Sequence, residues 1–206
     1  RGRLSMTRTD RRSVLTGLGA LALGGCGRAG PQATPETPVA PAALDLSGLE
    51  RANGGRLGFV AHDAGSGRRL AWRGDERFVY CSTFKMYLAA ATFLRVQAGQ
   101  ERLDRQIPVA AADMVNHAPV TGPAVGGALA VETLMKGAVE VSDNPAANLL
   151  LRALGGLEPM RAFYRSLGDD STTVDRFEPG MNRLDGDKDT IVPLRSVANL
   201  KRLLID

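Results

Sequence analysis

Only two cysteines, Cys26 and Cys81, occur in the 206 residues. Two cysteines do not make a disulfide framework, and these fall on opposite sides of an expected processing point. Long hydrophobic runs are also missing. The most apolar stretch, Val14 to Gly25, is short of the roughly 20 residues that a membrane-spanning helix needs. No internal repeat is present, so repeat architectures are excluded. A basic surface is missing too. The formal charge is +4, but residues 1–43 hold six arginines against Asp10 and Glu36, and the remainder is balanced. The excess belongs to the leader and implies no nucleic-acid partner. The length suits one domain with a real core, or two small ones sharing an interface.

Residues 1–26 read as an export signal. Arg11 and Arg12 precede the apolar run and resemble the twin-arginine signal. Leu23-Gly24-Gly25-Cys26 resembles a lipobox, which would make Cys26 a lipidated N-terminus and a membrane anchor. An ordinary signal with small residues at its cleavage site reads equally well. Either way, the expected location is the periplasm, free or anchored at the membrane face. Residues 27–43, rich in Pro, Ala and Thr without apolar periodicity, read as a disordered tether.

Residues 44–206 read as the folded part. Leu44 to Arg51 predicts a short helix stopped by Gly54-Gly55. Arg56 to Asp63 and Arg68 to Arg73 alternate around the turn Ala64-Gly65-Ser66-Gly67, which predicts a β-hairpin. Ser82 to Ala98 predicts a helix apolar nearly all round, hence buried. Val131 to Val141 and Leu157 to Leu167 predict two amphipathic helices. Asn144 and Pro145 look like an N-cap and first-turn pair opening Ala146 to Leu154. Pro193 opens a last helix through Leu204. A lone hairpin is marginal in water, so more sheet is expected than this chain supplies.

The chemistry centres on Cys81-Ser82-Thr83-Phe84-Lys85. Serine and lysine three residues apart share one helical face. Beside a serine, a buried amine has its ammonium disfavoured and can take the hydroxyl proton. Ser142-Asp143-Asn144 follows at a junction between helices, where a serine can pass a proton and an amide can hold a carbonyl. Arg176-Phe177-Glu178-Pro179-Gly180-Met181-Asn182 then lies in a loop closed by Asp189. There Glu178 and Asn182 could hold a water between them. Singly, each piece is better explained as helix capping, a surface lysine or a solvated loop.

Jointly, Ser-x-x-Lys, Ser-Asp-Asn and Arg-x-Glu-x-x-x-Asn, in this order and at these separations, resemble the class A serine β-lactamases. Arg77-Phe78-Val79-Tyr80-Cys81 and Asn148-Leu149-Leu150-Leu151 extend the likeness over about Leu44 to Asp206. The resemblance implies an α/β fold of α+β type, with an all-helical domain beside one holding an antiparallel sheet. Of that sheet only the first hairpin is expected here. It also implies hydrolysis of the β-lactam amide through a serine acyl-enzyme. Ser82 would be the nucleophile and an oxyanion donor, Lys85 the proton acceptor or relay, and Ser142 the donor to the leaving nitrogen. Glu178 would be the base for the deacylating water, with Asn182 orienting it. Asn144 would bind the substrate's side-chain amide. Arg176 and Asp189 would close the Ω-loop, and the Glu178–Pro179 bond would be cis. The implied partner is a small β-lactam, the substrate of a monomeric enzyme, with no metal and no cofactor.

Departures accompany the likeness. His117 stands where the family has an aromatic lining the cleft, and either contacts substrate or points into water. A buried free thiol is expected at Cys81. The family's Lys-Thr-Gly strand, with its second oxyanion donor, would come after residue 206, so this chain reads as the N-terminal part of such an enzyme. Two rival readings remain: a penicillin-binding transpeptidase or carboxypeptidase, and an inactive fragment. Glu178 with Asn182 argues against the first, because a cell-wall enzyme has no need of a fast deacylating water.

Overall fold

The structure, a computed structural model, describes residues 42–205. The arginine pair, Cys26 and the tether as far as residue 41 lie outside the described residues.

Helix α2 (Phe84–Gln97) sends Phe84, Tyr87, Leu88 and Ala91 into the core. It packs there against α3 (Val131–Glu140), α4 (Asn144–Leu154) and α5 (Leu157–Ser166). Leu134, Leu151, Met160 and Tyr164 meet it, all fully buried. Each such aliphatic side chain contributes about 1.5–3 kcal/mol on leaving water. α4 is the innermost helix, with only Arg152 on its exposed side. Its start differs from the sequence expectation by one residue. The cap is Asp143, whose carboxylate accepts from Ala146 N at 2.8 Å, and Asn144 is the first helical residue. Asp143 also accepts from Val120 N and Thr121 N, so one buried carboxylate closes a helix and a loop together. At the other end Gly155 takes the left-handed conformation at φ 110°, which glycine adopts without strain.

The hairpin forms as expected. β2 (Phe59–His62) and β3 (Arg69–Trp72) pair antiparallel, Phe59 opposite Trp72 and His62 opposite Arg69. Its turn is set by Asp63, which accepts from Gly67 N and Gly65 N. The sheet is larger than a hairpin, however. β1 (Ala42–Ala43), read as the end of the tether, pairs parallel to β3. α1 (Ser47–Asn53) follows it. Two further pairs had no alternation to announce them: β4 (Phe78–Val79) with β7 (Thr190–Ile191), and β5 (Gln106–Pro108) with β6 (Ala128–Ala130). The β4–β7 pair matters most. β4 runs directly into the Ser82 turn and β7 ends the Glu178 loop, so this pairing fixes the two segments to each other.

α6 (Pro193–Leu204) begins and ends where the sequence places it. α2 is not buried all round. Met86, Phe93 and Leu94 are 40%, 50% and 45% exposed, and with α3 and α6 they line an open apolar groove of about 570 Å³. That groove is well supplied with methyl groups and poor in reactive ones.

Candidate active site

The reactive residues converge on one atom, the Nζ of Lys85. Ser82 lies in a 3-10 turn (Cys81–Thr83) that precedes α2, and Lys85 lies in the first turn of the helix itself. Nζ stands 3.2 Å from Ser82 Oγ. Ser142 joins them through the left-handed backbone, φ 60°, at the end of α3. That conformation, costly for a non-glycine residue, turns both oxygens of Ser142 to the lysine: the carbonyl at 2.7 Å and Oγ at 3.0 Å. Ser142 Oγ is also 2.9 Å from Ser82 Oγ. Asn144, free of capping duty, brings Oδ1 to 2.6 Å from Nζ, while its Nδ2 donates to the Asn116 carbonyl at 3.0 Å.

Glu178 completes the ring. Its Oε1 is 3.3 Å from Lys85 Nζ, and both side chains are almost wholly buried. The other oxygen accepts from Asn182 Nδ2 at 2.5 Å. Oε1 itself is buried and accepts no hydrogen bond; the 3.3 Å approach is an ion pair without hydrogen-bond alignment. An ammonium has three protons to give, and four nearer oxygens already compete for them. Burial pushes the Lys85 pKa below the ordinary lysine value, and the charge of Glu178 works in the opposite direction.

The Glu178 segment is held from both sides. Asn148, buried on α4, donates Nδ2 to the Glu178 carbonyl and accepts from the Glu178 N–H, both at 2.9 Å. Further out, the Nε of Arg176 meets Asp189 Oδ2 at 2.5 Å, and Asp189 Oδ1 accepts the backbone N–H of Asp175 and Arg176. The Glu178–Pro179 peptide is cis.

Six of the residues singled out in the sequence therefore meet at one centre: Ser82, Lys85, Ser142, Asn144, Glu178 and Asn182. Arg176 and Asp189 pair behind them. His117 stands at the rim, its Nε2 donating to the Val141 carbonyl at 2.8 Å, so the ring is tied to backbone and not loose in water. Cys81 is a free thiol, as expected, but it is exposed and not buried. Partial burial, with the charge of Glu178, still raises its pKa. Sequence reasoning missed the work of Asn148 and Asp143. Asn148 carried a usable signal, because it follows Asn144 by four residues and so shares its helix face.

A sequence model described as the Beta-lactamase enzyme family matches residues 41–205. Beta-lactamase L2 of Stenotrophomonas maltophilia is 41% identical over 173 residues, covering 83% of this chain. The chain spans 57% of the length of that relative. Among solved structures, an ancestral (GNCA) class A β-lactamase is 49% identical with a TM-score of 0.76, over 78% of this chain and 62% of that one. A β-lactamase from Xanthomonas campestris pv. campestris is 45% identical with a TM-score of 0.75, over 77% and 60%.

Proposed function

The chain belongs to the β-lactamase enzyme family, in its class A, and from that premise we propose that the protein hydrolyses the amide bond of β-lactam antibiotics through an ester on Ser82. Ser82 Oγ attacks the lactam carbonyl while its proton passes to the amine of Lys85. Ser142 delivers a proton to the lactam nitrogen, the C–N bond breaks, and Lys85 restores the Ser142 proton. Glu178 then takes a proton from a water whose oxygen attacks the ester. Ser82 leaves with the proton that Glu178 took from the water, passed on through Lys85, so that Glu178 is again a carboxylate and Lys85 again a neutral amine. Asn182 fixes the carboxylate of Glu178. Asn144 offers the second N–H of its amide to the substrate's side-chain carbonyl.

One observation carries this reading: a buried carboxylate oxygen with no hydrogen bond, next to the amine that touches the nucleophile. A water placed there would satisfy Oε1 beside the amine that touches Ser82 Oγ. A cell-wall transpeptidase, which must keep water from its acyl-enzyme, gains nothing from such a group. A chromogenic cephalosporin separates the two. Many turnovers per molecule support hydrolysis; one long-lived adduct per molecule supports the cell-wall chemistry.

We also propose that the leader exports the protein to the periplasm, supported by Arg11-Arg12 and the apolar run after them. Lipidation at Cys26 is tested by labelling with a radioactive fatty acid, which Cys26→Ala would abolish.

A further inference from the structure

Away from the Lys85 centre, the hairpin meets α6 over a cleft of about 240 Å³. Its floor is apolar, with Val60 and Val197. Its rim is basic: His62 and Arg69 from the hairpin, Lys201 and Arg202 from the last turn of α6. No carboxylate is among the described residues lining it.

The helix side has a local explanation. Cationic residues in a last turn complement the helix dipole, and Arg202 donates one N–H to the Leu167 carbonyl. The sheet side has none. His62 and Arg69 are direct cross-strand partners, where two basic groups are a poor pair. The acid beside them, Asp63, is spent on its own turn, accepting from Gly65 N and Ser66 Oγ. Arg69 is half-buried, yet among the described residues its side chain makes no hydrogen bond and no ion pair. A guanidinium in a concave setting presents its fork of donors to whatever enters, and that fork matches a tetrahedral oxyanion. The volume lies below the 300 Å³ or so at which drug-sized ligands begin. It suits one headgroup.

We propose that the cleft between the β2–β3 hairpin and α6 binds a phosphate group, with Arg69 as the principal contact and His62 and Arg202 beside it. The phosphate could be free in solution or belong to an anionic lipid headgroup, and the two sources are distinguished by experiment. Inorganic phosphate is titrated into the full chain and followed by 31P NMR against chloride at matched ionic strength. In parallel, the chain is sedimented with vesicles of phosphatidylglycerol or of phosphatidylcholine. Saturable phosphate binding without sedimentation assigns the site to free phosphate; sedimentation with phosphatidylglycerol alone assigns it to lipid. In either case Arg69→Gln should weaken binding about tenfold, and Arg69→Lys, which keeps the charge but not the fork, by less. Arg102→Gln removes an arginine already paired with Asp104 and should change nothing. Far-UV circular dichroism checks that each variant folds. No saturable binding of either probe, or equal loss with Arg69→Gln and Arg102→Gln, overturns the proposal.

Discussion

Lys85 Nζ and Glu178 Oε1 lie 3.3 Å apart in a space closed to solvent, and the carboxylate oxygen still lacks a hydrogen bond. The lysine is drawn toward Asn144 and Ser142, which stand nearer. The backbone of Glu178 is fixed by Asn148, which bonds both its N–H and its carbonyl.

Asn148→Leu should therefore do two things. It leaves the N–H and carbonyl of Glu178 without partners, each worth about 1–3 kcal/mol when buried, so thermal unfolding should move down by several degrees. It should also slow deacylation more than acylation, because the carboxylate loses its aim while Ser82 and Lys85 do not. Pre-steady-state kinetics with a chromogenic substrate separates the steps, and an equal fall in both rates would contradict the positioning role.

Asp143→Ala removes the cap of α4 and the acceptor for Val120 N and Thr121 N together. A lost cap costs about 0.5–2 kcal/mol, and each stranded buried N–H about 1–3 kcal/mol more. A loss of at least ~2 kcal/mol is expected in urea denaturation. A loss below ~0.5 kcal/mol would mean that water replaces the carboxylate freely.

Titration of Lys85 sets a pH dependence. Burial lowers its folded pKa beneath the ordinary 10.5, so between the two values the unfolded chain binds more protons and stability rises with pH. The neutral amine becomes available as pH climbs through the folded value. Single-turnover acylation should rise with pH below the ordinary lysine range, and Lys85→Arg, always protonated, should lose both the rate and the rise. A flat profile would take the proton-acceptor role away from Lys85.

Asp169 gives an acid-side counterpart. Burial raises its pKa, but hydrogen bonds from Thr172, Ser171 and Asn199 outweigh burial and hold it below 3.8. Its contribution is thus present above the unfolded value and lost as pH falls through the folded one. Asn199→Ala removes the donor at 2.8 Å, raises the folded pKa and should shift acid unfolding to higher pH. An unchanged midpoint by circular dichroism would show that the side chain of Asn199 does not tune Asp169.

Much of this site is readable from residue order, because its motifs are local. Ser82 and Lys85 are one turn apart, Glu178 and Asn182 share a short loop, and Arg176 and Asp189 bracket it. The hairpin and α6 are legible for the same reason, through alternation and a first-turn proline. What stays hidden depends on contacts distant in sequence. Asp143 rather than Asn144 caps α4 because Thr121 and Val120 also claim its carboxylate, and that releases Asn144 toward Lys85. β4 and β7 are two residues each, too short for any period, and exist because the segments around Ser82 and Glu178 are brought side by side. Cys81 was expected inside, but its left-handed φ of 46° accompanies a thiol that faces solvent. The outer face of α2 is as apolar as its inner one, so hydropathy alone could not say that Phe93 and Leu94 would be half exposed.

The central claim is that Glu178 aims water at an ester on Ser82, and Glu178→Gln tests it most directly. The variant keeps the side chain's size and its bond to Asn182, yet cannot take a proton. Mixed with a β-lactam and analysed by intact-mass and peptide spectrometry, it should accumulate an adduct of the substrate's mass on Ser82 that persists at least 100-fold longer than in the parent protein. An adduct that clears as fast as the parent's, or that sits on any residue other than Ser82, would contradict the account.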